Sequence, residues 1–240
     1  MPRAVVCLPT FNEHENLEPM VRALGDVLDT SQDRVLVIDD DSPDGTGQLA
    51  DRLAGELPWL NVLHRARKEG LGPAYIAGFR KALSEHAELV VEIDCDFSHD
   101  PGDVPRLIET AGDADLVLGS RYVRGGGTEG WGLVRRIVSR GGCLYAQLVL
   151  GVNVRDLTGG FKCFRRGTLE AIDLDALSAR GYAFQIETTY RVLRAGLRVR
   201  EIPIRFSERR VGDSKMSRAI VLEAIWKVPV LRWRALTGKL

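Results

Sequence analysis

The 240-residue chain reads as an α/β protein with a mostly parallel central sheet flanked by helices. Apolar, largely β-branched runs alternate with amphipathic stretches of helical period over the first half, the pattern of βαβ units. The loops after the first, second and fourth runs carry acids, glycines and prolines. In parallel sheets these carboxyl ends of the strands are where ligands bind.

Ala4–Leu8 is the first buried strand, and Pro9-Thr10-Phe11-Asn12-Glu13 is the loop after it. An amphipathic helix follows through Leu17, Met20, Val21, Leu24 and Leu28. Val35–Ile38 forms the second strand, closed by the acidic loop Asp39–Thr46, and Leu49, Ala50 and Leu53 mark the next helix. Asn61–His64 is a short third strand, Arg65–Gly72 a basic loop, and Pro73–Ser84 a helix. Leu89–Ile93 is the fourth strand, a helix starts near Asp103, and Asp115–Gly119 is a fifth strand.

The stretch Val90–Pro101 organises the rest. It opens as a strand covered on both faces and ends in Asp94-Cys95-Asp96-Phe97-Ser98-His99-Asp100. Asp94 and Asp96 then point the same way, since strand side chains alternate. Two crowded carboxylates repel unless a cation lies between them, and hard oxygen ligands suit Mg²⁺ or Mn²⁺ bridging to substrate phosphates. A solvated Asp-rich turn is the plainer reading of the same residues.

Composition is that of an ordinary globular protein, 45% hydrophobic and 28% charged. Lysine plus arginine and aspartate plus glutamate balance at 33 each, so no global field points to nucleic acid. Acids concentrate in the first half, and bases at 121–140, 191–210 and 215–239. Cys7, Cys95, Cys143 and Cys163 are widely spaced, and no signal-like segment precedes them, so reduced cytoplasmic thiols are expected. No uninterrupted apolar run reaches the ~18 residues of a bilayer span.

After the first strand a dinucleotide site would show GxGxxG, and this chain has no glycine there; a P-loop is also missing. The acidic loops suit a nucleotide held by side chains while a metal carries its diphosphate. Phe11 is placed to stack on a base or to fill core, and Asp39 or Asp40 to accept from base or ribose.

Taken in order, the loops Leu8–Glu13, Ile38–Thr46, Lys68–Tyr75 and Asp94–His99 resemble the family-2 glycosyltransferases, and within them the dolichyl- (polyprenyl-) phosphate mannose synthases. Gly119–Tyr122, Ser139–Gly142, Asp156–Lys162, Gly181–Glu187 and Arg209–Lys215 extend the resemblance over nearly the whole chain. The family usually has Tyr at Phe11 and Ala at Cys95, and often Ala or Asn at Gly142.

The resemblance implies a glycosyltransferase A-type fold and metal-dependent, inverting transfer of mannose from GDP-mannose to a polyprenyl monophosphate. It assigns Pro9, Phe11, Glu13, Ile38, Asp40, Asp94, Cys95, Asp96, Arg121, Arg209 and Lys215 to the nucleotide sugar. Asp94 and Asp96 take Mg²⁺ or Mn²⁺; Arg121, Arg135 and Ser139 hold the acceptor phosphate; Asp96, Arg121 and Arg135 are central to catalysis. Arg209 and Lys215 belong to a loop that closes on the donor. A UDP-glucose-dependent polyprenyl-phosphate glucosyltransferase shares most of these motifs, although Gly125-Gly126-Gly127…Gly130-Trp131 favours the mannose branch. A non-catalytic nucleotide-sugar-binding protein would have no need of the acceptor clamp.

A lipid acceptor calls for a membrane surface as a partner, with or without a separate anchoring protein, and a peripheral position on its cytoplasmic face. Trp131–Val152 and Ser217–Leu240 alternate apolar and basic groups as interfacial helices do. Residues 1–216 are read as one catalytic domain, and 217–240 as an amphipathic helical segment that docks on lipid or on the core. Pro229 is expected to break or kink that helix.

Overall fold

The computed structural model describes residues 1–177, 181–208 and 218–240. Four parallel strands open the sheet: β1 (Ala4–Thr10), β2 (Arg34–Asp39), β3 (Leu60–His64) and β4 (Leu89–Glu92). Between them run α1 (His14–Val27), α2 (Thr46–Glu56) and α3 (Leu71–Ser84). A 3₁₀ turn at Pro101–Asp103 then leads into α4 (Val104–Thr110) and β5 (Leu116–Ser120).

The second half adds the short β6 (Gly127–Thr128), α5 (Leu133–Leu150), β7 (Lys162–Arg165) and α6 (Arg166–Ala171). It ends with α7 (Gly181–Arg194), β8 (Val199–Pro203), β9 (Arg205–Phe206) and α8 (Arg218–Leu236). The main sheet runs β3-β2-β1-β4-β7-β5-β8, and β6 pairs separately with β9. Within the described main sheet β7 alone is antiparallel to its neighbours. From β1 the chain winds outward to β2 and β3, then returns through α3 to β4 on the other flank. Strand order therefore reverses between β1 and β4, which opens a crevice at their carboxyl ends.

Alternation along the strands feeds two cores. Val5, Cys7, Leu36, Ile38 and Val90 face α3, α5, α7 and α8, meeting Phe79, Ala146, Phe184, Tyr190 and Leu231. Ala4, Val6, Leu8, Val35, Val37 and Val91 face α1, α2 and α4, meeting Leu17, Met20, Leu24, Leu53 and Leu107. Gly78 lets α3 lie this close, because a Cβ there would sit 2.5 Å from Ile38 Cδ1.

The last helix docks on the body, burying Val228, Leu231 and Ala235, and also presents Trp226 and Trp233 outward at 76% and 56% exposure. Of the break or kink expected at Pro229, the break is absent: α8 runs through it. A proline leaves the carbonyl four residues back without its helical donor. Here that carbonyl belongs to Ile225, and the Tyr145 hydroxyl of α5 donates to it at 2.8 Å.

Candidate active site

Three loops meet at the crevice. The two after β1 and β2 are stitched together by main-chain donors, with Asn12 N–H to Ser42 Oγ at 3.1 Å, Glu13 N–H to Thr46 Oγ1 at 3.0 Å and His14 N–H to Asp44 Oδ2 at 3.2 Å. Asp39 is spent on this loop: it accepts from Thr10 Oγ1 and from Ser42 Oγ and N–H. Asp44 likewise accepts from Thr46 at α2's first turn. Asp40 is a different case. It pairs with the Arg65 guanidinium, yet burial outweighs that charge and pushes its carboxyl up.

Glu13 is buried and accepts from Asn16 Nδ2 at 2.8 Å. Pro9 and Phe11 are half-buried, and the Lys68 ammonium sits 3.7 Å over the Phe11 ring centroid. Ile38 is fully buried in the core beside Cys7. The Ile38 carbonyl, at the end of β2, accepts from Thr10 Oγ1 at 3.4 Å.

The expected alternation of Asp94 and Asp96 fails, because β4 ends at Glu92, where its pairing with β7 ends. Asp94 and Asp96 lie on the turn beyond, in which Phe97 takes a left-handed backbone (φ 60°). Asp96 is buried rather than solvent-facing, and its Oδ1 accepts from Ser98 N–H and Oγ at 3.0 and 2.6 Å. Asp94 keeps 32% side-chain exposure. Its Oδ1 accepts from the buried Tyr75 hydroxyl at 3.4 Å, and its Oδ2 lies 3.9 Å from His99 Nδ1. Cys95 is buried beneath them.

His99 is packed between Phe161 and Phe206, and burial pulls its imidazole down to about 4, so it is neutral near pH 7. The donor set suits a hard divalent cation. Among the described residues no three His, Cys, Asp or Glu side chains are gathered for a metal. Two carboxylates fit an ion that takes its remaining ligands from a diphosphate and water.

This geometry, with carboxylates at a strand-order reversal, coincides with the family comparison. The model for glycosyl transferase family 2 matches residues 5–173. The chain belongs to glycosyl transferase family 2. Similarity to individual members of that family runs nearly end to end. An undecaprenyl-phosphate mannosyltransferase of Micrococcus luteus is 48% identical over 96% of this chain and 93% of its own. A polyprenol monophosphomannose synthase of Mycolicibacterium smegmatis is 44% identical over 94% of this chain and 85% of its own.

Solved glycosyltransferases share the fold. Glucosyl-3-phosphoglycerate synthase from Mycobacterium tuberculosis, in complex with Mn²⁺, UDP and glucosyl-3-phosphoglycerate, aligns at TM-score 0.65 and 21% identity over 99% of this chain and 80% of that one. A Pyrobaculum calidifontis mannosyltransferase with GDP-Man and Mn²⁺ aligns at TM-score 0.60 and 18% identity, over 99% and 74% of the two chains. The central sheet and its flanking helices are therefore the A-type fold of this enzyme class.

On the other flank of the crevice, Arg121 and Arg135 meet at Trp131, and Ser139 is reached through Tyr122. Arg135 stacks on the Trp131 ring at 4.1 Å and Arg121 approaches it at 5.7 Å; Tyr122 donates to Ser139 Oγ at 2.7 Å. Arg121 is not presented as an open clamp. Its Nε and Nη2 bond both oxygens of buried Asp156 at 2.7 and 2.6 Å, and Nη2 also reaches Thr158 Oγ1. Burial opposes charge on both partners. Their mutual pairing wins, holding Asp156 below and Arg121 above their usual ranges. The pairing leaves Arg121 only 7% exposed. Arg135 is freer, with a 3.5 Å ion pair to Glu208. Arg209 and Lys215 lie outside the described residues.

One buried cluster escaped the sequence reading. Glu92 and Lys162 are register partners on β4 and β7, both fully buried. Burial pushes Glu92 up to about 7 and Lys162 down to about 8. Lys162 donates to Gln185 O and Thr188 Oγ1, while the Gln185 side chain lies close enough to Glu92 to favour its charge without a well-formed hydrogen bond among the described residues. The visible signal was a lone acid inside an apolar strand run.

Proposed function

We propose that this glycosyltransferase moves mannose from GDP-mannose to a polyprenyl monophosphate at a membrane surface. The observation that carries the reading is near full-length identity, 48% and 44%, to a mannosyltransferase and a mannose synthase named for polyprenyl phosphate acceptors. The site chemistry supports it.

The donor side is acidic and stitched. Phe11 offers its ring to the base, and Asp40 with Glu13 offers acceptors to the base and ribose edge. Asp94 and Asp96 would hold Mg²⁺ or Mn²⁺ against the diphosphate, where the ion neutralises charge on the departing GDP. The acceptor phosphate is largely anionic at neutral pH, so no general base has to create the nucleophile. Its oxygen attacks C1 of mannose as the bond from C1 to the diphosphate oxygen breaks, with inversion. Arg135 and Ser139 orient that phosphate, and the Arg121–Asp156 pair braces the floor beneath Trp131. Positioning and fixed charge supply most of such a barrier reduction.

The lipid end of the acceptor has a matching surface. Leu133, Val134, Ile137 and Leu148 of α5, with Trp226 and Trp233 of α8, are all more than half exposed. Arg136 and Arg140 are exposed beside them. Among the described residues no helix is long and apolar enough to cross a membrane. An apolar face with tryptophans and a basic flank is the composition of an interfacial helix pair.

The test incubates the full chain with radiolabelled GDP-mannose, polyprenyl phosphate in vesicles and Mg²⁺ or Mn²⁺. Label moving into the organic phase, and little transfer from UDP-glucose, is the expected result. Equal or preferred use of UDP-glucose would overturn the donor assignment.

A further inference from the structure

Tyr75 is, with Tyr190, one of the two largest fully buried side chains of the described residues, and its hydroxyl points to the acidic turn rather than to the interior. The acceptor it meets is Asp94 Oδ1, at 3.4 Å. Its ring is fixed from two sides, 6.0 Å from Phe79 and 6.2 Å from Phe184, the latter with its plane nearly parallel at 4°. A phenol held this way has little rotational freedom, so its O–H arrives at one oxygen of Asp94 in a set direction. The other oxygen remains on the side of His99, 3.9 Å off.

We infer that Tyr75 is a positioning residue for the cation: its hydrogen bond to Oδ1 helps set the direction of the Asp94 carboxylate that would hold the metal. The inference rests on the proposed placement of a divalent cation at Asp94 and Asp96. Groups that hydrogen-bond a ligating carboxylate orient it, and losing one typically weakens metal affinity by about 10- to 100-fold. The long Tyr75–Asp94 contact points to the lower end. Through Phe184, the same ring ties the carboxylate to α7, a helix that packs against α8.

The experiment measures Mn²⁺ affinity of the full chain by electron paramagnetic resonance of unbound Mn²⁺, with saturating GDP. Wild type, Tyr75→Phe, Asp94→Asn and the double variant are compared. Phenylalanine keeps both ring contacts, so melting temperatures of Tyr75→Phe and wild type should agree. The expected result is about tenfold weaker binding in Tyr75→Phe, a larger loss in Asp94→Asn, and no added loss in the double variant. That last term marks action through the carboxylate, since independent sites would add. Unchanged affinity in Tyr75→Phe, or an equal loss from it in the Asp94→Asn background, would overturn the inference while leaving the metal site standing. If Asp94→Asn itself binds Mn²⁺ as wild type does, the metal placement falls, and the role of Tyr75 with it.

Discussion

The two flanks of the crevice are held in different ways. On the donor flank, Asp39, Asp44 and Asp96 already accept hydrogen bonds from their own loops, and Asp40 is paired with Arg65. Little there has to be ordered when a nucleotide arrives. On the proposed acceptor flank, Arg135 and Ser139 ride on α5, whose outer face exposes Leu133, Val134 and Ile137. One flank is preorganised by polar bonds within the protein, while the other leaves apolar surface uncovered. The contrast suits a small, polar, diffusing donor and a long, apolar acceptor anchored elsewhere.

The comparison breaks first if the buried charges beneath the donor flank are dispensable. Lys162→Met should cost about 3–5 kcal/mol of folding stability near pH 8, the usual result of stranding a buried charge. The sign with pH follows from Glu92, whose folded value is raised to about 7. Below pH 7 Glu92 takes up its proton, so the cost should shrink towards pH 5. Urea unfolding of wild type and variant at the two pH values reads it, and a cost independent of pH would refute the pairing.

Asp96→Asn should lower turnover about 10²- to 10³-fold, the scale of removing one preorganised electrostatic contact. The amide oxygen can still accept from Ser98, so circular dichroism should report a native fold. Turnover within a few-fold of wild type would remove Asp96 from the chemistry.

Arg135→Ala sharpens the division between flanks. Losing one charge-assisted contact to phosphate is worth about 1.5–3 kcal/mol, or roughly 10- to 150-fold in kcat/KM for lipid phosphate. GDP-mannose affinity by calorimetry should be unchanged. Collapse of donor binding with intact acceptor kinetics would reverse the assignment. The smallest effect is expected for Trp226→Ala, roughly tenfold weaker sedimentation with anionic vesicles. Transfer to a water-soluble short-chain acceptor should then be preserved.

The donor flank was legible because it is local. Each acid there follows a strand in sequence, and the period of the strands and helices placed the loops at one end of the sheet. The fine direction of Asp94 and Asp96 was not, since it depends on where pairing with β7 stops, some seventy residues later in the chain by the Glu92–Lys162 register. The partner of Arg121 was hidden for a similar reason. As a motif Arg121 looks like an open cation, and only the fold brings Asp156 against it. The helix running through Pro229 was equally out of reach, because its compensation comes from Tyr145 on another helix. Glu92 and Lys162 could have been noticed as charges inside apolar strand runs, although their pairing could not.

The late strand between β4 and β5 also constrains how the chain is made. From the completion of β5 through α5, a ribosome-bound chain presents one edge of β4 and both edges of β5 with nothing to pair with. Unpaired edges are templates for other strands. The gap is filled only when Lys162–Arg165 emerges and threads in antiparallel. The half carrying all the acidic loops is thus complete in sequence long before its last neighbouring strand exists. A nascent chain stalled near residue 150 would be sticky at the sheet's centre rather than at its rim, and a fragment cut there should need a chaperone to stay dispersed.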